Sequence, residues 1–469
     1  MRIVVDTALN SGSAEYQNMG DVSMLQVAVT RLKRLWPSSS IEVLTESPEN
    51  LRKYCPGAKP LPRTVRDLWI GDREGLNSFM FTRFFKNLPE GISSRLSGGI
   101  RTLELRWPKL LSLLIRCRPL LGDGGGDFKA RLIAFLETME DADLFVVCGA
   151  GGFTDDCRMW NWSTLNTSEA FIRRNIPVIM FGQGIGPLSD VEVLSKAKTV
   201  LPEVKLITLR GGRGGPAILE SLGVDASQVL TTGDEAIELA YEARSHDLGQ
   251  GLGINLRVAS YAEIGSDFVD KLRPILQQFA RRHNVSLIPV PIAFHQRASD
   301  HLAIQQLLAG FDDQSDGGAR LDTPLKVIQQ VSLCRVVVTG AYHAAVFALA
   351  QGIPVVCLAK SPDYIAKFLG LEDQFGRGCE TIFLDEPEAL EKLADAIDRA
   401  WQSAELVRRS LQEAALRQIQ LSWEAYEQVR DLQDSHRTKH HTDLPRVVTT
   451  SHGTAGISLP NLRGPKGLR

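Results

Sequence analysis

Short apolar runs of strand length alternate with longer stretches of helical period along most of this chain. Residues 3–6 and 41–45 are apolar runs, and between them residues 22–35 repeat their apolar positions at three- and four-residue intervals. Strand, crossover helix and strand make a βαβ unit, whose two strands must be parallel. The rhythm resumes with strands at 144–147, 178–181 and 206–209 and a helix near 167–174. The second half repeats it with strands at 252–255, 286–290, 335–339 and 354–358. Its helices are expected at 266–283, 300–309, 324–332 and 343–351, followed by a helical stretch from 387 to about 432. Two doubly wound, Rossmann-like α/β domains facing a cleft fit this pattern, with boundaries at 1–245 and 246–433. Residues from about 60 to 127, rich in Arg, Trp and Gly, show no such period and read as an irregular insertion. Residues 434–469 lack the apolar positions needed to offset the entropy of ordering and read as a disordered tail.

Length and composition narrow the function without choosing it. A chain of 469 residues exceeds what one hydrophobic core usually organises. A formal net charge of -2 gives no global attraction to nucleic acid or to an anionic membrane, so any anion site must be local. Seven cysteines are scattered without CxxC pairs, and Cys148, Cys334 and Cys357 fall in apolar runs, the pattern of reduced core thiols in a cytoplasmic protein. No segment has the length and apolarity of a transmembrane span, and no His/Cys cluster of metal-ligand spacing occurs outside the tail.

In open α/β sheets ligands bind where strands end and helix N-termini begin. Asn18, Gly20 and Asp21 precede the first long helix, as a cap or as hydroxyl ligands. The strand at 144–147 runs into a glycine turn containing Gly151 and Gly152, without the lysine of a P-loop or GxGxxG spacing. Gln183 follows another strand within a Gly/Pro-rich path and is expected to reach the cleft. Arg210 and Arg257 each leave a strand end, where a guanidinium fork suits phosphate or carboxylate, or else a surface ion pair. Asp234 sits after a further apolar step, to orient a hydroxyl or cap a turn. The most pronounced local signal is a Val-rich strand that breaks at Gly340 and opens a small, apolar helix at His343. An imidazole there is placed to exchange protons with a ligand in the cleft, or to pack at a helix start. Lys367 adds a cation nearby.

In this order the segments resemble the polysaccharide pyruvyl transferase family over about residues 1–30 and 140–400. The matching points are Asn18-x-Gly20-Asp21, the turn at 149–156, Gln183-Gly-Ile-Gly-Pro187, Arg210, the helix end at 219–223, Asp234, Arg257, His343-Ala-Ala and Lys367. The resemblance implies a fold like that of the GT-B glycosyltransferases. It also implies transfer of pyruvyl from phosphoenolpyruvate onto two hydroxyls of a glycan sugar, as a cyclic ketal of cell-surface polysaccharide. His343 is then the acid/base, Arg210, Arg257 and Lys367 hold the donor beside Gly340, and the remaining residues line the acceptor side. No metal or other cofactor is called for, since each preorganised donor to a departing phosphate supplies on the order of 3 kcal/mol. The chain departs from the family at two positions: Ala341 stands where an arginine is usual, and Gly211 where an aspartate is usual. One donor-binding charge is thereby missing, with Arg213 the candidate substitute. Two other readings share the fold: a glycosyltransferase using a nucleotide sugar, and a non-catalytic glycan- or nucleotide-binding member.

Overall fold

The computed structural model describes residues 1–7, 17–63, 66, 126–295 and 298–442. The expected insertion at 60–127 therefore lies almost wholly outside the described residues, as does the expected tail beyond residue 442.

The first half runs β1 (Arg2–Asp6), α1 (Met19–Leu35), β2 (Ser40–Thr45), α2 (Pro48–Tyr54), β3 (Lys59–Pro62), α3 (Gly126–Asp141), β4 (Leu144–Val147) and β5 (Ala150–Phe153). It continues through α4 (Arg158–Ile172), β6 (Val178–Ile185), α5 (Val191–Val200), β7 (Leu206–Leu209), α6 (Gly215–Ser221), β8 (Val229–Thr231) and α7 (Ala236–Glu242). Its strands form one parallel sheet in the order β3-β2-β1-β4-β6-β7-β8, with β5 also paired to β6. The apolar runs are buried on both faces, as a parallel sheet covered by helices requires.

The second half comprises β9 (Gly251–Asn255), α8 (Asp267–His283), β10 (Leu287–Pro289), β11 (Phe294–His295), β12 (Ala298–Ser299), α9 (Asp300–Leu308) and α10 (Pro324–Val331). After these come β13 (Cys334–Thr339), α11 (Tyr342–Ala350), β14 (Val355–Ala359), α12 (Pro362–Phe375), β15 (Cys379–Phe383) and α13 (Ala389–Thr442). Five strands make a second parallel sheet, ordered β10-β9-β13-β14-β15. The α/β fold with two Rossmann-like sheets is thus as expected.

Several elements depart from the sequence-based expectation. The helix expected near 167–174 is α4, which begins at Arg158. Its buried face carries Asn161, Thr164, Thr167 and Ser168, so no apolar period marks it. The hydroxyls are satisfied internally: Thr167 and Ser168 donate to the carbonyls one turn back at 2.7 and 2.8 Å, and Thr164 donates to Asp6 at 3.0 Å, while the Asn161 amide donates to the Thr154 carbonyl at 2.8 Å. The glycine turn after β4 is in part a strand, β5. Helix α13 continues to Thr442, past the expected boundary at 434. It crosses from the second sheet back to the first, where Tyr426 stacks on Phe181 at 3.8 Å and Gln433 donates to the Asp143 carbonyl at 2.9 Å.

A short seam joins the halves at the start of α1. Met19 N donates to Ile292 O at 2.9 Å and Phe294 N to Gln17 O at 2.8 Å. This seam brings the N-terminus of α1 to the strand ends of the second sheet.

Candidate active site

Asn18 caps α1, its Oδ1 accepting from the backbone N–H of Gly20 at 3.0 Å and of Asp21 at 3.4 Å. Gly20 follows in the first turn. The imidazole of His343, carried by α11 of the other half, lies against it so closely that a Cβ on Gly20 would fall 1.9 Å from His343 Cγ. A glycine is required there by a side chain more than three hundred positions away in sequence.

The opposite side of the ring meets Asp234, in the loop between β8 and α7. His343 Nε2 is 3.5 Å from Asp234 Oδ2, and Arg210 Nη1 is 3.8 Å from the same oxygen. All three residues are at least nine-tenths buried. Asp234 Oδ1 accepts from Ala236 N at 2.9 Å and so pins the carboxylate to the start of α7. Neither Asp234 Oδ2 nor His343 Nε2 has a hydrogen-bond partner. Such atoms are costly to bury unless something pairs with them. Burial opposes ionisation of Asp234, but His343 and Arg210 outweigh it and lower its pKa below the ordinary carboxylate value.

Arg210 leaves β7 beneath two glycines. A Cβ at Gly151 would lie 2.3 Å from its Nη2, and one at Gly184 2.7 Å from its Nε. Its guanidinium stacks over the ring of Tyr342 at 4.3 Å. Among the described residues it donates no hydrogen bond, so its fork is open to a ligand. Lys367 of α12 comes to the same space and pairs with Asp363. Burial first, and the charge of Arg210 second, lower its pKa. Asp21 is half-buried at the head of α1. Burial raises its pKa, against the pull of His343 and Arg210.

The structure therefore brings together His343, Asp234, Arg210, Asp21, Gly20, Gly151 and Lys367. Asn18 supports the group as a cap. Gly152 packs on Trp160, where a Cβ would lie 2.8 Å from the ring. Gly340 directly follows β13 beside Arg257, whose backbone N would lie 3.1 Å from a Cβ there.

Three expectations need correction. Gln183 does not reach the cleft: it is fully buried, and its amide donates to the carbonyls of Val147, Cys148 and Phe181 at 3.2, 3.1 and 2.7 Å. Gly182, at φ +57, turns β6 so that this side chain folds back under the sheet. Arg257 leaves its strand end as expected but is engaged within the protein. Its Nη1 donates to Asp300 at 2.6 Å and its Nε to the Tyr261 hydroxyl at 2.6 Å. Arg213 does not substitute for a donor-binding charge: it forms a two-pronged bridge to Asp373 at 2.5 and 2.8 Å, on the surface between the halves.

Sequence reasoning missed Asp300, the buried carboxylate that accepts from Arg257, Asn255, Ile292 N and Ala293 N. It looks like any helix-start aspartate in sequence. Tyr342 was also missed; its place directly before His343 was the available signal.

Two facing Rossmann-like sheets with a charged cluster at their strand ends define the GT-B architecture. The chain resembles the Neisseria meningitidis UDP-GlcNAc 2-epimerase bound to UDP-GlcNAc over 94% of its length and 100% of that protein, at 11% identity and a TM-score of 0.50. Arabidopsis thaliana UGT89C1 complexed with UDP aligns over 92% of this chain and 99% of that one, at 12% identity and a TM-score of 0.48. A glycosyltransferase from Rickettsia africae aligns over 92% and 98%, at 10% identity and 0.48. Among curated proteins nothing matches. The polysaccharide pyruvyl transferase family model matches residues 18–362, and the chain belongs to that family. No described helix is long and apolar enough to cross a membrane.

Proposed function

We propose that this protein transfers the pyruvyl group of phosphoenolpyruvate to two hydroxyls of a glycan sugar, forming a cyclic ketal and releasing phosphate. The observation that carries this reading is the convergence of His343 Nε2, Asp234 Oδ2 and the Arg210 fork, with open hydrogen-bonding capacity, on one buried point. Arg210 and Lys367 hold the phosphate and carboxylate of the donor, since both cations face the same space. His343 delivers a proton to the enol carbon, and Asp234 orients the ring and offsets the imidazolium charge. Arg257, held by Asp300, acts at the edge of the donor rather than at its centre. A cytoplasmic setting fits the six unbridged cysteines among the described residues.

The test compares donors. A donor present at 100 times its dissociation constant stabilises the fold by about 2.7 kcal/mol. Phosphoenolpyruvate is expected to raise the melting temperature and to give phosphate release with a glycoside bearing a free hydroxyl pair. His343→Ala is expected to abolish release while leaving the melting temperature near the wild-type value. Stabilisation by nucleotide sugars instead, with none by phosphoenolpyruvate, would overturn this reading in favour of glycosyl transfer. Binding of either without turnover would make the chain a non-catalytic member.

A further inference from the structure

Ketal formation sets a proton balance that one residue does not meet in a single step. Two C–O bonds form to C2 of the enolpyruvyl group, the bond from C2 to the phosphate oxygen breaks, and C3 gains a proton to become a methyl group. The two acceptor hydroxyls supply two protons: one equivalent replaces that spent on C3 and the other leaves with the phosphate. While His343 is delivering its proton to C3 it is not available as a base for the attacking hydroxyl, so a second group must take that proton.

Asp21 is placed to be that group. It lies in the first turn of α1, directly after the glycine on which the His343 ring rests. It is half-buried, and among the described residues its carboxylate accepts no hydrogen bond. The charges that act on it come from four separate elements: His343 of α11, Arg210 after β7, Asp234 before α7 and Lys367 of α12. The other carboxylate of the cluster, Asp234, is pinned through Oδ1 to Ala236 N at 2.9 Å and turns Oδ2 to the His343 ring, 3.5 Å from Nε2. The two environments also push the carboxyls apart, Asp21 upward by burial, while the cations at Asp234 outweigh its burial and hold it down. Paired carboxyls driven apart in this way divide acid, base and electrostatic roles.

We propose that Asp21 is the general base that takes the proton of the first attacking hydroxyl as His343 protonates the enol carbon. Asp21 then passes that proton to the phosphate as it departs, and the second hydroxyl returns a proton to His343. Both residues end as they began. The assignment rests on the pyruvyl-transfer reading and adds to it where the first attacking hydroxyl binds, at the head of α1.

The experiment measures phosphate release from phosphoenolpyruvate against a panel of glycosides with free vicinal or 1,3-hydroxyl pairs, as a function of pH. An Asp base works only when ionised, so the wild-type rate falls as pH drops through its pKa. Asp21→Asn is expected to lower kcat by about 100-fold or more, the scale of general acid–base catalysis, with KM for phosphoenolpyruvate changed less than about threefold, and to lose the low-pH limb. Asp21→Glu keeps a carboxyl and is expected to restore part of the rate together with the limb; it carries the test if the Asn variant does not fold. A low-pH limb that persists in Asp21→Asn, or a wild-type kcat there, overturns the assignment while leaving pyruvyl transfer standing. A wild-type protein that releases no phosphate with any acceptor overturns both.

Discussion

The ring of His343 occupies the place that a side chain on Gly20 would need, with Nδ1 2.0 Å from where that Cβ would be. The head of α1, in the first half of the chain, thereby sets the position of a ring carried by the second. Gly20→Ala must shift either the ring or the helix. Misplacement of a catalytic group by about 1 Å costs on the order of 100-fold in rate, and overpacking costs about 1–3 kcal/mol of stability. Steady-state turnover alongside denaturant unfolding checks both, and an unchanged kcat would show that the contact does not position the imidazole.

Asp300 is a second point of control. Its Oδ1 accepts from Arg257 at 2.6 Å, while Oδ2 accepts from Asn255 at 3.0 Å, Ile292 N at 2.9 Å and Ala293 N at 3.0 Å. Ile292 is also the acceptor for Met19 N at the seam between halves. Asp300→Asn removes the charge facing a buried guanidinium and is expected to cost about 3 kcal/mol. Phosphoenolpyruvate affinity should fall with it. A urea midpoint equal to that of the wild type would remove Asp300 from this role.

The two departures from the family pattern sit in different surroundings. A Cβ at Gly211 meets nothing within 4 Å, so Gly211→Asp should leave stability within about 0.5 kcal/mol. Ala341 is buried at the N-cap of α11, two residues before His343. If only one donor-binding charge is missing, Ala341→Arg supplies a charge-assisted hydrogen bond of about 1.5 kcal/mol or more and tightens phosphoenolpyruvate binding roughly tenfold. Calorimetric titration reads the change; an unaltered affinity would point to a different donor.

Glu235 connects the site to α13. It follows Asp234, accepts from the Tyr426 hydroxyl at 2.5 Å, and is pushed by burial to a pKa of about 7. A carboxyl whose folded pKa exceeds its unfolded value binds its proton more tightly in the fold. Its contribution to stability is therefore present below about pH 4.5 and is lost as pH rises toward 7. Wild-type protein should lose up to about 3 kcal/mol across that window relative to Glu235→Gln, whose neutral amide does not titrate. Parallel unfolding curves for the two proteins at pH 4.5 and pH 8 would count against this.

The apolar runs by themselves mark most of the strands. β4, β7 and the core of β13 lie where the pattern put them, because a strand buried on both faces must be nearly continuous in Val, Ile, Leu and Phe. A helix whose buried face is polar, α4, was marked only near its C-terminal end, and elements too short to show a period, such as β5 and β8, escaped it. The same limit applied to the site. Strand ends identified Arg210, Asp234 and His343 as candidates, since in a parallel sheet those ends open to ligand whatever surrounds them.

Which of these candidates work together was a matter of packing. Gln183, within β6, and Arg210, directly after β7, stand in similar glycine-rich company, yet one turns under the sheet and the other into the cleft. Arg257 resembles Arg210 in sequence, but a carboxylate that begins a helix forty-three residues later holds it. The chain's local pattern encodes where a ligand-binding edge must form, because burial acts on each segment separately. The meeting of His343 with Gly20, Asp21 and Asp234 depends on how two sheets and the head of α1 dock, and no segment carries that information alone.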